Sequence, residues 1–246
     1  NMEVNKFGLS RVIPAEIKRE IRQQCGFGCV ICGLGIIQYE HVDPEFKDAK
    51  KHDPANMTLL CPQCHSKVTT KMWSKSRVKL AMRMPKCLQQ GYSNEFFDFP
   101  ERNPSLIFGG VKLSNCKIPI QVANYPLFQL KKPEYLGQPF LLSGLFTDSN
   151  GEVSLEIKDN EWKANSSLWD VEVKGPCITI RERHRKIHLV LTITEQCDIL
   201  VSRLDMVFAG FYFEANGDYL KVTFPDGGSS ELSGCVADNC NVGISF

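Results

Sequence analysis

Two Cys-x-x-Cys pairs, Cys29–Cys32 and Cys61–Cys64, constrain this chain more than any other feature. Paired thiolates at that spacing suit one tetrahedral ion, and Zn²⁺ is the ion that takes four of them in structural sites. A site filled by four protein ligands keeps no open position for water, so such a zinc holds the fold and leaves chemistry to other residues. The count of eleven cysteines is odd, and four of them fall in the pairs, which favours metal binding over a disulfide framework. The other seven (Cys25, Cys87, Cys116, Cys177, Cys197, Cys235 and Cys240) are expected to be small buried hydrophobes. The stretch "NMEVNKFGLSRV" lacks the apolar core of a signal peptide, and no apolar run approaches the roughly 18 residues of a membrane span. The expected location is the cytoplasm, with no membrane partner.

Local patterns fill in the region around the pairs. "IPAEIKREIRQQCGFG" predicts a helix, with Pro14 at its first position, Ile17, Ile21 and Cys25 on one face, and Gly26 as its end. "CVICGLGIIQYEHV" reads as a knuckle followed by a short strand, and "DPEFKDAKKHDPAN" as a polar loop. A helix after Cys61 would carry Cys64, His65 and Val68. A second, over "SKSRVKLAMRM", would be capped by Ser74 and stopped by Pro85.

The order Cys-x-x-Cys, acid-His, Asn, Leu-Cys-x-x-Cys-His and a nearby Lys, present as "CVIC", "YEHV" and "PANMTLLCPQCHSK", resembles the HNH endonucleases. These are the zinc-knuckle branch of the ββα-metal nucleases, and the resemblance covers about residues 11–86. It implies that His41 is a general base that takes a proton from water, and that Asn56 orients its ring through the side-chain amide. It further implies that Glu40 and His65 bind a catalytic divalent cation, Mg²⁺, Mn²⁺ or Ni²⁺, with Cys29, Cys32, Cys61 and Cys64 on the structural zinc. Glu40 stands where the family more often has Asp, one methylene shorter. Lys67 and Lys71, with Lys75, Arg77 and Lys79 beyond them, form a basic face suited to backbone phosphates. His52, in "KKHDP", is expected to lie in a solvated loop without a role.

The implied activity is metal-dependent hydrolysis of phosphodiester bonds in DNA, in a setting of bacterial restriction or antiviral defence, with RNA as a further candidate substrate. The alternative is a zinc-stabilised nucleic-acid-binding or assembly module that does not cut. Charge agrees with a polyanion partner for the first part. Residues 1–90 carry 15 Lys and Arg against 8 Asp and Glu, a net +7, while the remainder carries 14 against 20, a net −6.

From about residue 91 the texture changes to short β-type runs separated by turn signals. The fold class expected is α+β: a small ββα-metal zinc-knuckle domain over residues 1–90, a linker over 91–104, and a mostly antiparallel all-β domain over 105–246. Eight to ten strands are expected there, in a sandwich, barrel or β-helix. Trp162 and Trp169 are expected as core anchors. The acidic β domain is the expected seat of target choice, ligand sensing or homodimerisation.

Overall fold

The computed structural model describes residues 4–99 and 102–246, and the chain divides into two compact units. One contains the chain up to residue 95 together with residues 164–172; the other contains residues 96–163 and 173–246. Residues 100 and 101 of the expected linker lie outside the described residues. No helix among the described residues is long and apolar enough to cross a membrane.

The first unit opens with helix α1 (Ala15–Cys25), whose C-cap Gly26 adopts a φ of 69° and donates its N–H to Gln23 O. That left-handed conformation is open to glycine at little cost, which is why the helix stops there. Pro14 lies one position earlier than expected, at the N-cap. Ile21 and Cys25 are buried, and the helix packs on strand β2 (Met57–Leu60). Strand β1 (Gln38–His41) pairs antiparallel with β2, setting Glu40 opposite Thr58 and His41 opposite Met57. All four residues of β2 are buried, so this strand serves as the floor of the unit. Helix α2 (Pro62–Thr69) follows, with Cys61 as N-cap and Pro62 at a first-turn position where its missing N–H costs nothing. Helix α3 (Lys75–Arg83) begins at Ser74, whose Oγ accepts from Arg77 N at 3.3 Å. Helix α4 (Lys86–Gln90) and strand β3 (Tyr92–Phe96) complete the run.

A buried ion pair braces this unit. Arg22 on α1 donates to both oxygens of Asp170, at 2.8 Å each, and to the Tyr39 hydroxyl at 2.8 Å. Arg22 is 4% exposed and Asp170 1%. Burial by itself would lower the Arg22 pKa, but the bonds to Asp170 and Tyr39 hold it above its ordinary value. Tyr39 precedes Glu40 on β1, so the pair anchors the strand that carries the acid and the histidine.

The second unit is built from strands, and the α+β class expected from sequence is what the chain adopts. They are β4 (Leu106–Phe108), β5 (Val111–Ser114), β6 (Ile118–Val122), β7 (Tyr125–Lys131), β8 (Leu141–Thr147), β9 (Val153–Lys158) and β10 (Glu161–Asn165). Then follow β11 (Asp170–Lys174), β12 (Cys177–Arg183), β13 (Lys186–Ile193), β14 (Ile199–Phe208), β15 (Phe211–Ala215) and β16 (Leu220–Thr223); the end of β10 and the start of β11, within residues 164–172, belong to the first unit. The last three are β17 (Ser229–Leu232), β18 (Cys235–Asp238) and β19 (Val242–Ser245).

One sheet runs β19-β6-β7-β8-β9-β10; another runs β12-β13-β14-β15-β16-β17, with β4 beside β14 and β5, and β5 also beside β18. Among the described residues β4 with β14, β18 with β5, and β19 with β6 pair in parallel, while β6 to β9 and β12 to β17 pair antiparallel with their neighbours in sequence. Phe108 of the second sheet packs against Phe128 of the first at 5.2 Å, and Phe128 against Phe146 at 5.0 Å. Phe128 lies directly over its cross-strand partner Gly144, where a Cβ would come within 2.2 Å of the ring. Only glycine admits the ring there, so this position keys β7 to β8.

There are more strands than the eight to ten expected. Some turns begin on an alanine, which carries no turn signal of its own: Ala123 ahead of Asn124, with φ of 48° and 67°, and Ala209 ahead of Gly210, with φ of 50° and 82°. Trp162 is buried as expected, whereas Trp169 is half-buried under the Arg19 guanidinium at 4.7 Å. The expectation that all seven unpaired-motif cysteines are buried also needs correction. Cys25, Cys87 and Cys116 are buried, Cys177, Cys197 and Cys240 are partly so, and Cys235 is exposed. Cys197 and Cys240 lie outside the strands, and Cys235 begins β18, a strand with no buried residue.

Candidate active site

The two cysteine pairs meet. The four sulfurs of Cys29, Cys32, Cys61 and Cys64 lie within 4.8 Å of one another, bracketing the roughly 3.8 Å edge of a tetrahedron with Zn–S bonds of about 2.3 Å. The first pair sits on a turn in which Gly33 N donates to Cys29 O and Cys29 N to Leu34 O. The second comes from the end of β2 and the first turn of α2, where Cys64 N donates to Cys61 Sγ at 3.4 Å. A hydrogen bond from Cys32 holds Cys29 down to about 5, and the same contact pushes Cys32 up. Burial pushes Cys64 up to about 12. Four sulfurs this close would repel one another as thiolates, a repulsion that a bound cation offsets, and the cluster is compatible with a structural zinc.

Cys61 also places the next ligand candidate. Its carbonyl accepts from His65 N at 2.8 Å in the first turn of α2, which turns His65 toward β1. There His65 Nε2 lies 3.0 Å from Glu40 Oε2. The other carboxylate oxygen, Oε1, accepts from the Lys75 ammonium at the start of α3, and Lys75 also reaches His41 O at 3.3 Å. Glu40 is only 17% exposed at its side chain, so these partners stand where water would otherwise hydrogen-bond its carboxylate. A carboxylate and an imidazole converging beside an ammonium form a donor set that suits a hard or borderline cation.

His41 ends β1. Its Nε2 lies 3.1 Å from Nδ1 of His52, and Nε2 of His52 lies 2.9 Å from Ser10 O. The ring packs against Phe46 at 5.4 Å. Burial, reinforced by the neighbouring His52, lowers the His41 pKa below its ordinary 6.5, which favours the neutral ring that a base needs.

His52 was expected in a solvated loop, and the structure corrects this: it is 9% exposed and is the ring partner of His41. Asn56, expected to orient that ring, is exposed, and no hydrogen bond between its amide and His41 occurs among the described residues. Its backbone instead locks the loop to the strand, with Val42 N donating to Asn56 O at 2.9 Å and Asn56 N to Asp53 O at 2.9 Å. His41 and Asn56 do line one small cavity of about 310 Å³.

Glu40, His41 and His65 open into a larger cleft of about 810 Å³, lined also by Arg11, Lys47, Lys71, Lys75, Phe46 and Trp73. Four cations against Glu40 and Glu45 leave it net basic. Lys71, from the expected phosphate face, lines this cleft, whereas Lys67 lies over the Trp73 ring at 4.5 Å, with Arg77 at 4.2 Å from the same ring. Sequence reasoning grouped Lys75 with a basic helix face; its contact with Glu40 depends on the 35-residue separation being closed by the fold.

Comparison with curated proteins and with solved structures gave no match. The model of the HNH endonuclease family matches residues 23–71, the stretch that carries both cysteine pairs, Glu40, His41, Asn56 and His65, in agreement with the resemblance those motifs carry.

Proposed function

We propose that this protein is a metal-dependent HNH endonuclease that hydrolyses phosphodiester bonds in DNA. The observation that carries this reading is the convergence of Glu40, His41 and His65 on one basic cleft beside the four-cysteine cluster. Phosphodiester hydrolysis needs a base for water, a counter-charge for the phosphoryl oxygens and a place for the nucleic-acid backbone. His41, neutral, takes a proton from water; the hydroxide attacks phosphorus, and the bond to the leaving 3′ oxygen breaks. Glu40 and His65 would hold a divalent cation, Mg²⁺, Mn²⁺ or Ni²⁺, which supplies positive charge to the phosphoryl and leaving oxygens.

Lys71 and Lys75 lie where they can neutralise flanking phosphates, with Lys67 held at the edge by Trp73. Asn56 contributes by tying the loop to the end of β1, which fixes where His41 begins. The first ninety residues would do the cutting. The β domain, net acidic, would serve target choice, ligand sensing or homodimerisation.

Incubating the protein with supercoiled plasmid and Mg²⁺, Mn²⁺ or Ni²⁺ tests this. Nicked or linear product is expected from the wild type, with a loss of at least about a hundredfold in His41→Ala. Cleavage that survives His41→Ala removes the assigned base. No cleavage with any of these cations favours a binding module that does not cut.

A further inference from the structure

His52 carries an inference of its own, because its two ring nitrogens have different partners. Nε2 faces the backbone carbonyl of Ser10 at 2.9 Å, and a carbonyl can only accept, so the proton of a neutral His52 ring is on Nε2. That leaves Nδ1 with a lone pair. Nδ1 lies 3.1 Å from His41 Nε2, which must then be the protonated nitrogen of His41. The remaining nitrogen of His41, Nδ1, has no hydrogen-bond partner among the described residues. We infer that His52 is a positioning residue: the chain from Ser10 O through His52 to His41 fixes the His41 tautomer with its lone pair on Nδ1, the atom that receives the proton from water.

Burial supports the assignment. His52 is 9% exposed, and both its nitrogens are used in the chain of bonds. Fixing a ring's tautomer through the nitrogen that does not react is a recognised way of making the other nitrogen available. The packing of Phe46 against His41, at 5.4 Å, restricts the ring further.

The kinetic consequence rests on the nuclease reading, whereas the tautomer does not. The test uses the zinc-loaded full chain with ¹⁵N-labelled histidine, and multiple-bond ¹⁵N–¹H spectra assigned with His41→Ala. Two variants are compared. His52→Phe keeps a ring but no acceptor, and His52→Asn offers a side-chain oxygen near the place of Nδ1. In wild type and His52→Asn, His41 is expected as the Nε2–H tautomer; in His52→Phe it is expected as a mixture. Plasmid cleavage is then expected to lose about ten- to a hundredfold in kcat in His52→Phe, with KM little changed, and to recover in His52→Asn. The inference is overturned if wild-type His41 is protonated on Nδ1, if its tautomer is unchanged in His52→Phe, or if kcat falls equally in both variants. If wild type cuts no plasmid at all, the nuclease reading fails, and the tautomer spectra alone decide what His52 does.

Discussion

A carboxylate that meets an imidazole through one oxygen and an ammonium through the other, as Glu40 does with His65 and Lys75, is poised for exchange. A divalent cation bound between Glu40 Oε2 and His65 would face the Lys75 ammonium across the same carboxylate, so Lys75 opposes the cation by charge repulsion. A partly exposed pair of this kind is worth about 1 kcal/mol. Lys75→Met should therefore tighten Mn²⁺ binding by about fivefold, measured by titration under electron paramagnetic resonance. Weaker binding in the variant would show that Lys75 supports the site and does not oppose cation entry.

The motif that brings Glu40, His41 and His65 together was legible in the sequence because its spacing is local: His65 follows Cys64 directly, and Glu40 precedes His41. His52 was not. "KKHDP" looks like solvated loop, and the acceptor that buries this histidine, Ser10 O, is 42 residues away.

At the scale of elements, helix α1 could be read because three signals agreed: an apolar face, an N-terminal proline and a C-terminal glycine. Strand β2 could not, because its four residues are buried on both faces and show no alternation. Strand β12, by contrast, alternates through buried Ile178 and Ile180. The brace from α1 to Asp170 spans 148 residues, and no local pattern reports it. It fixes β1 through Tyr39, so its removal should be felt in the first unit. Asp170→Ala leaves the Arg22 guanidinium buried without its carboxylate, at a cost of about 3 kcal/mol or more. Calorimetry should show the melting of that unit lowered by roughly 10 °C. An unchanged Tm would mean that Arg22 finds water or another acceptor.

At the scale of the whole molecule, charge and architecture divide the work. The net +7 of residues 1–90 and the net −6 of the remainder were visible in the sequence, and the basic cleft holding Glu40, His41 and His65 lies in the first unit. The inclusion of residues 164–172 in that unit was not visible, since it depends on pairing distant in sequence. On the proposed reading, one short stretch would hold two metal sites of different character: four sulfurs around one structural ion, and Glu40 with His65, which would offer only two protein ligands and leave room for water and phosphate.

The most direct measurement is metal stoichiometry of wild type and His65→Ala, by elemental analysis for zinc and by Mn²⁺ titration under electron paramagnetic resonance. The account expects one tightly held zinc per chain in both, and one weaker Mn²⁺ site in the wild type that His65→Ala loses. Equal Mn²⁺ binding in both proteins, or zinc lost along with His65, would contradict it.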